Sequence, residues 1–118
     1  MEAPTVAVTL FNPTKTRRRE VKAKLDTGFE GGLFLPFEVY VDLGLQLFET
    51  SRVVASLATG EFTELFASRA IVVVGGLECL CSAYTTLKAS KCLLGWEVLS
   101  KLRVTLDGKR GKMSIKDP

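Results

Sequence analysis

Apolar side chains return at every second position through much of this chain, and that period decides what it can fold into. Val6, Val8 and Leu10 form one row; Val21, Ala23 and Leu25 form another, with Lys22 and Lys24 between them. Successive side chains of a strand point to opposite faces, so each row gives one apolar face and one polar face. The pattern predicts further strands over Arg52 to Leu57, Glu61 to Val74, Leu77 to Leu87, Leu102 to Leu106 and Lys112 to Lys116. Ala58-Thr59-Gly60 reads as a hairpin turn, and Asp107-Gly108 stops the penultimate strand. Two pieces break the period. Pro36 sits where a first helical turn accepts proline, with Phe37, Tyr40 and Val41 behind it and Gly44 as a stop signal; a second short helix is expected from about Trp96 to Lys101. The expected class is all-β with one or two short helices.

A chain of 118 residues suits one domain, taken here as residues 1–118. No repeat, linker or low-complexity stretch divides it. A hydrophobic share of 47% supports a real core. A domain this small buries a modest fraction of its surface, so a partner subunit would add stability. The net charge of +3 is too weak to argue for nucleic acid or a membrane surface. Lys15, Arg17, Arg18 and Arg19 follow the turn signal Asn12-Pro13 and read as a solvated hairpin tip. Met1-Glu2-Ala3-Pro4 lacks the positive start of a signal peptide, and the apolar run Ala70 to Leu77 is far shorter than a membrane span. A cytoplasmic location is the expectation.

The chain has no histidine. That removes the Ser-His and Cys-His nucleophile pairs and the common histidine-bearing metal sites. A hydrolase built on this chain would work with carboxylates, a lysine or a bound ion. Cys79 and Cys81 face one side of a strand and cannot easily bridge each other, and Cys92 is the odd one. Buried free thiols are favoured over a three-thiolate metal site, because Cys-x-Cys lacks the usual zinc spacing. No metal and no cofactor is expected.

The segment Lys24-Leu25-Asp26-Thr27-Gly28 carries the chemistry. An apolar strand delivers a carboxylate into a tight turn, where the Thr27 hydroxyl and turn amides can hold it and Gly28 lets the backbone bend. The three residues Asp26-Thr27-Gly28 alone also suit an ordinary turn. Their surroundings say more. Asp26 to Pro36 (Asp-Thr-Gly-Phe-Glu-Gly-Gly-Leu-Phe-Leu-Pro), then Leu43-Gly44-Leu45, then Cys92-Leu93-Leu94-Gly95-Trp96-Glu97-Val98-Leu99 occur in that order. Together they resemble the signatures of retropepsin-like aspartic proteases, above all the small microbial members. Ser56 to Phe62 lies where that family keeps its flap, a glycine-bearing hairpin over bound peptide. Phe29 stands where viral members have a small residue, and Trp96 where they carry an arginine.

The resemblance implies a closed β-barrel with a flap hairpin, working as a homodimer. It implies Asp26 as the catalytic carboxylate, Thr27 and Gly28 as turn support, and Ala58, Thr59 and Gly60 in the flap. Leu33, Leu57, Leu94 and Trp96 flank the motifs and suit apolar substrate pockets or plain core. Asp26 is the only aspartate in such a turn, and the chemistry uses two carboxylates, so a two-fold dimer is the simplest completion. The terminal strands, Thr5 to Leu10 and Lys112 to Lys116, are the implied dimer sheet, and the expected partner is a peptide or protein substrate. Two other readings remain: a dimeric peptide-binding module on the same fold without turnover, and an assembly protein in which Asp26 is only a turn residue.

Overall fold

The first two apolar rows become one antiparallel hairpin. β1 (Thr5–Phe11) pairs with β2 (Arg18–Leu25) from Thr5↔Lys24 to Phe11↔Arg18. Val8, Leu10, Ala23 and Leu25 are buried on its inner face, while Lys22 and Lys24 are exposed. The computed structural model describes residues 4–56, 60, 62–107 and 112–116. In the turn between the strands, the Asn12 Oδ1 accepts the Thr16 amide at 2.9 Å and its Nδ2 donates to Thr16 Oγ1 at 2.8 Å. Lys15, Arg17 and Arg18 are exposed as expected and Arg19 is half-buried, and all four are engaged. Lys15 meets Glu78 at 2.7 Å, and Arg19 meets Asp42 at 2.9 Å. Arg18 meets Glu20 at 2.5 Å, and Arg17 donates to the Asp42 carbonyl at 3.0 Å.

Seven strands form the main sheet. β2 runs parallel to β7 (Leu93–Leu94), which pairs antiparallel with β3 (Leu33–Phe34). β3 runs parallel to β6 (Leu77–Thr85), and β6 pairs antiparallel with the long β5 (Phe62–Val74). β5 returns to β1 through Thr9↔Val73, Leu10↔Val72 and Phe11↔Ile71, so the sheet closes into a ring. β4 (Ser51–Ser56) pairs with β5 outside that ring. β8 (Arg103–Asp107) and β9 (Lys112–Lys116) make a separate two-stranded sheet. The all-β class and the closed barrel agree with the sequence expectation.

The ring encloses Leu10, Leu33, Leu35, Val72, Cys81, Ala83 and Leu94, and Leu43, Leu45 and Val98 bury against the same core. Each such leucine contributes about 1.5–3 kcal/mol relative to exposure. Two buried hydroxyls are satisfied inside it: Ser68 donates to the Leu45 carbonyl at 2.9 Å, and Thr85 to the Leu35 carbonyl at 2.8 Å.

α1 (Phe37–Asp42) has Pro36 as its N-cap, and Gly44, at φ +72°, ends it in the left-handed region that glycine accepts. A 3-10 turn over Leu45–Phe48 follows, which the alternation did not predict. α2 (Trp96–Leu99) is shorter than expected, with Ser100 as its C-cap. The strand expected to reach Leu87 ends at Thr85, because the chain turns there: the Ala89 amide donates to the Thr86 carbonyl at 3.1 Å and Leu87 is left exposed. No helix of the described residues is long and apolar enough to cross a membrane.

Candidate active site

Asp26 follows the last residue of β2 and is held from two sides. Its amide donates to the Leu94 carbonyl at 2.9 Å, which continues the parallel pairing of β2 with β7 one residue further. Its Oδ1 accepts the Gly28 amide at 3.0 Å, and the Phe29 amide closes the turn on the Asp26 carbonyl at 3.2 Å. The carboxylate is therefore aimed by backbone groups, and the residue is half-buried. Thr27 and Gly28 are exposed.

The chain leaves this turn and passes close to the second signature. The Gly95 amide donates to the Gly32 carbonyl at 2.9 Å, and the Trp96 amide to the Phe29 carbonyl at 2.7 Å. A Cβ at Gly95 would stand 2.1 Å from the Gly31 carbonyl oxygen and 2.6 Å from that of Phe29. Glycine is required there by close approach of two backbones. The sequence order of the two signatures thus becomes one spatial unit: β3 and β2 flank β7, and the Asp26 turn rests on the Leu94-Gly95 end of it.

Glu97 braces the same unit. Its carboxylate accepts both the hydroxyl and the amide of Ser82 on β6, and the Ser82 hydroxyl oxygen in turn accepts the Gly32 amide at 3.0 Å. Sequence reasoning missed this acid. The available signal was its place two residues after Gly95, at the start of a short helix.

Beside the turn lies an open groove with a volume of about 500 Å³. Gly28, Phe29, Glu30, Phe34, Leu65 and Tyr84 border it. Phe29 meets Phe34 edge-on at 6.3 Å between ring centroids and Tyr84 at 6.0 Å, so the wall is aromatic. Leu65 belongs to β5, so the β4–β5 hairpin forms one side of the groove. Ser56↔Phe62 is the last pair of that hairpin. The expected flap residues Ala58 and Thr59, with Leu57, lie outside the described residues. Gly60 is exposed at φ +87°, a conformation that favours glycine. A second cavity, of about 260 Å³, lies between α1 and the base of the hairpin at Tyr40, Glu49, Arg52 and Phe66, and none of the expected site residues borders it.

Leu94 and Leu33, expected in a pocket or in the core, have no exposed side-chain surface; they pack in the core, which corrects the pocket reading of Leu94, and Leu94 meets the site through its carbonyl. β1 is a ring strand with β2 along one edge and β5 along the last three residues of the other, which is compatible with the expected place of Thr5 to Leu10 in a dimer sheet. Phe29, Glu30, Phe34, Leu65 and Tyr84 border the groove instead, and the sequence alone did not single them out as its walls.

The cysteines are all buried and free, as expected. Burial pushes the Cys92 thiol up to about 12 and raises Cys81 further, with Glu97 adding to the second shift. Neither is a nucleophile at neutral pH.

No family model and no curated protein matches the chain. Its fold does match solved structures. One is described as EIAV protease complexed with the inhibitor HBY-793; it is 18% identical, with a TM-score of 0.59 over 84% of this chain and 86% of that one. At that identity the likeness speaks for the fold, and the chain has the retropepsin-like fold.

Proposed function

We propose that this chain is one subunit of a homodimeric aspartic endopeptidase, in which Asp26 of each copy supplies one of two catalytic carboxylates. The observation that carries the reading is the Asp26 turn itself: a half-buried residue whose carboxylate accepts the Gly28 amide and whose own amide donates to the Leu94 carbonyl, beside an aromatic groove. Its setting in a fold shared with a retroviral protease supports it.

Two carboxylates brought within a few ångströms cannot both ionise, so they share one proton. The ionised one takes a proton from a water between them, and that water attacks the peptide carbonyl. The protonated one donates a hydrogen bond to the carbonyl oxygen, where negative charge develops. The proton taken from water then passes to the leaving nitrogen. This cycle uses no metal, cofactor or covalent intermediate. The pair titrates as a unit.

The substrate lies extended along the groove beside the β4–β5 hairpin, whose strand edge offers backbone bonds to it. The dimer sheet draws on the terminal strands, β1 and the β8–β9 hairpin. Among the described residues β8 and β9 pair with no strand of the ring, and a lone two-stranded hairpin is marginal in water.

The test is cleavage of an unfolded protein substrate across pH 3 to 7 by wild type and Asp26→Ala in parallel. Product from wild type alone is the expected result. No product from either protein would favour a peptide-binding dimer, and equal product from both would move the active site elsewhere.

A further inference from the structure

Trp96 is the only tryptophan of the chain, and it is 52% exposed. Its surroundings are well defined. It opens α2, and its amide donates to the Phe29 carbonyl at 2.7 Å. The Phe29 amide donates in turn to the Asp26 carbonyl at 3.2 Å. Two backbone hydrogen bonds therefore connect Trp96 to the candidate catalytic residue. The indole nonetheless takes no part in the groove, whose walls are Phe29, Phe34, Leu65 and Tyr84. An exposed indole beside the Asp26 turn, and off the substrate groove, calls for a different cover.

We propose that Trp96 is an anchor of the subunit interface, covered by a second copy of this chain when two Asp26 turns meet across a two-fold axis. The inference rests on the dimeric protease reading above and adds a residue to it. A site with one carboxylate per chain is incomplete until the second arrives. Bringing the two carboxylates into hydrogen-bond range lays the flanks of one turn against the flanks of the other, and a two-fold contact then covers both copies of Trp96. The burial is large: an aromatic side chain hides about 150–250 Å². Tryptophan is also enriched among the residues whose truncation most weakens interfaces.

The sole tryptophan reports on its own burial. The experiment is sedimentation and intrinsic emission of the full chain over one dilution series, with Trp96→Ala and Trp96→Phe alongside. In the wild type, emission is expected to move to longer wavelength as dimer is lost, with both transitions at one concentration. Trp96→Ala is expected to weaken the dimer by about 30-fold or more, and Trp96→Phe by less. Unchanged emission on dissociation overturns the proposal, as does a folded Trp96→Ala that dimerises like wild type. Either of those results, with Asp26-dependent cleavage intact, leaves the protease reading standing. A chain that is monomeric at every concentration overturns the proposal and the dimeric reading together. Should Trp96→Ala fail to fold, the wild-type emission series and Trp96→Phe decide.

Discussion

The Glu97 carboxylate accepts the Ser82 hydroxyl at 2.5 Å and the Ser82 amide at 3.2 Å, so one acid ties α2 to β6. Because the same hydroxyl oxygen holds the Gly32 amide, the tie extends to the segment that leaves the Asp26 turn. Hydrogen bonds to a charged group are worth about 1.5–3 kcal/mol each in favourable settings. Glu97→Ala is expected to lower the unfolding free energy by about 1–3 kcal/mol, and Glu97→Gln by less, since the amide oxygen can still accept from Ser82. Urea denaturation, with an unchanged slope, measures both.

Gly95→Ala is expected to be far worse than a helix-propensity change. Its φ is −101°, which any residue adopts, so conformational strain is not the cause. The added methyl instead meets two carbonyl oxygens that cannot swing away, because they belong to the backbone of the Asp26 segment. Forced overpacking costs about 1–3 kcal/mol where side chains can yield and more where they cannot. A melting temperature well below wild type, or failure to fold at all, is the expected outcome; a wild-type melting curve would contradict the close approach.

Alkali is expected to unfold the protein gradually above pH 9. Burial holds Cys92 up at about 12 and raises Cys81 and Tyr40 as well. Their folded forms keep a proton that the unfolded chain releases, so the unfolded state binds fewer protons at high pH. The stability that Cys92 protects is complete below about pH 9, the ordinary thiol range, and is lost as pH rises toward 12. Melting temperatures should stay flat from pH 7 to 9 and then fall. Cys92→Ala should shallow that fall while lowering the whole curve, through the cavity it leaves.

Specific activity is expected to fall on dilution, because dissociation separates the two carboxylates. Removal of the residues after Gly111 deletes β9 and should shift that loss to higher protein concentration. Sedimentation run at the assay concentrations checks both. A fully active monomer, or a truncated chain that dimerises normally, would contradict the expectation.

Much of this fold was legible because it is local. The alternation along Val6-Val8-Leu10 and Val21-Ala23-Leu25 gave the first hairpin and its inner face, and the β4–β5 hairpin followed from the turn signal near Gly60. β3 and β7 were not legible as strands by period, since each has two residues and two residues have no period. Their importance comes from non-local pairing, which the order of the two signatures suggested only through a family resemblance. Leu94 shows a different limit: an apolar residue beside a motif suits a substrate pocket and a core equally, and only packing tells them apart. The brace at Glu97 was hidden because its partner Ser82 lies on another element, where no spacing rule connects them.

The dependence of the Asp26 turn on the Leu94 carbonyl has a consequence for how the protein is made. The residues that bear the turn leave the ribosome well before the strand that supports them. Contacts between such distant segments form slowly, because a long loop must close first. A nascent chain thus carries the Asp-Thr-Gly sequence well before it carries the aimed carboxylate. The pairing of β1 with β5 becomes possible once Val73 is out, but the ring, which includes β7, and the seat for Asp26 both wait for Leu94. Any hydrolytic capacity therefore waits for Leu94 to be made and to pair with the Asp26 segment.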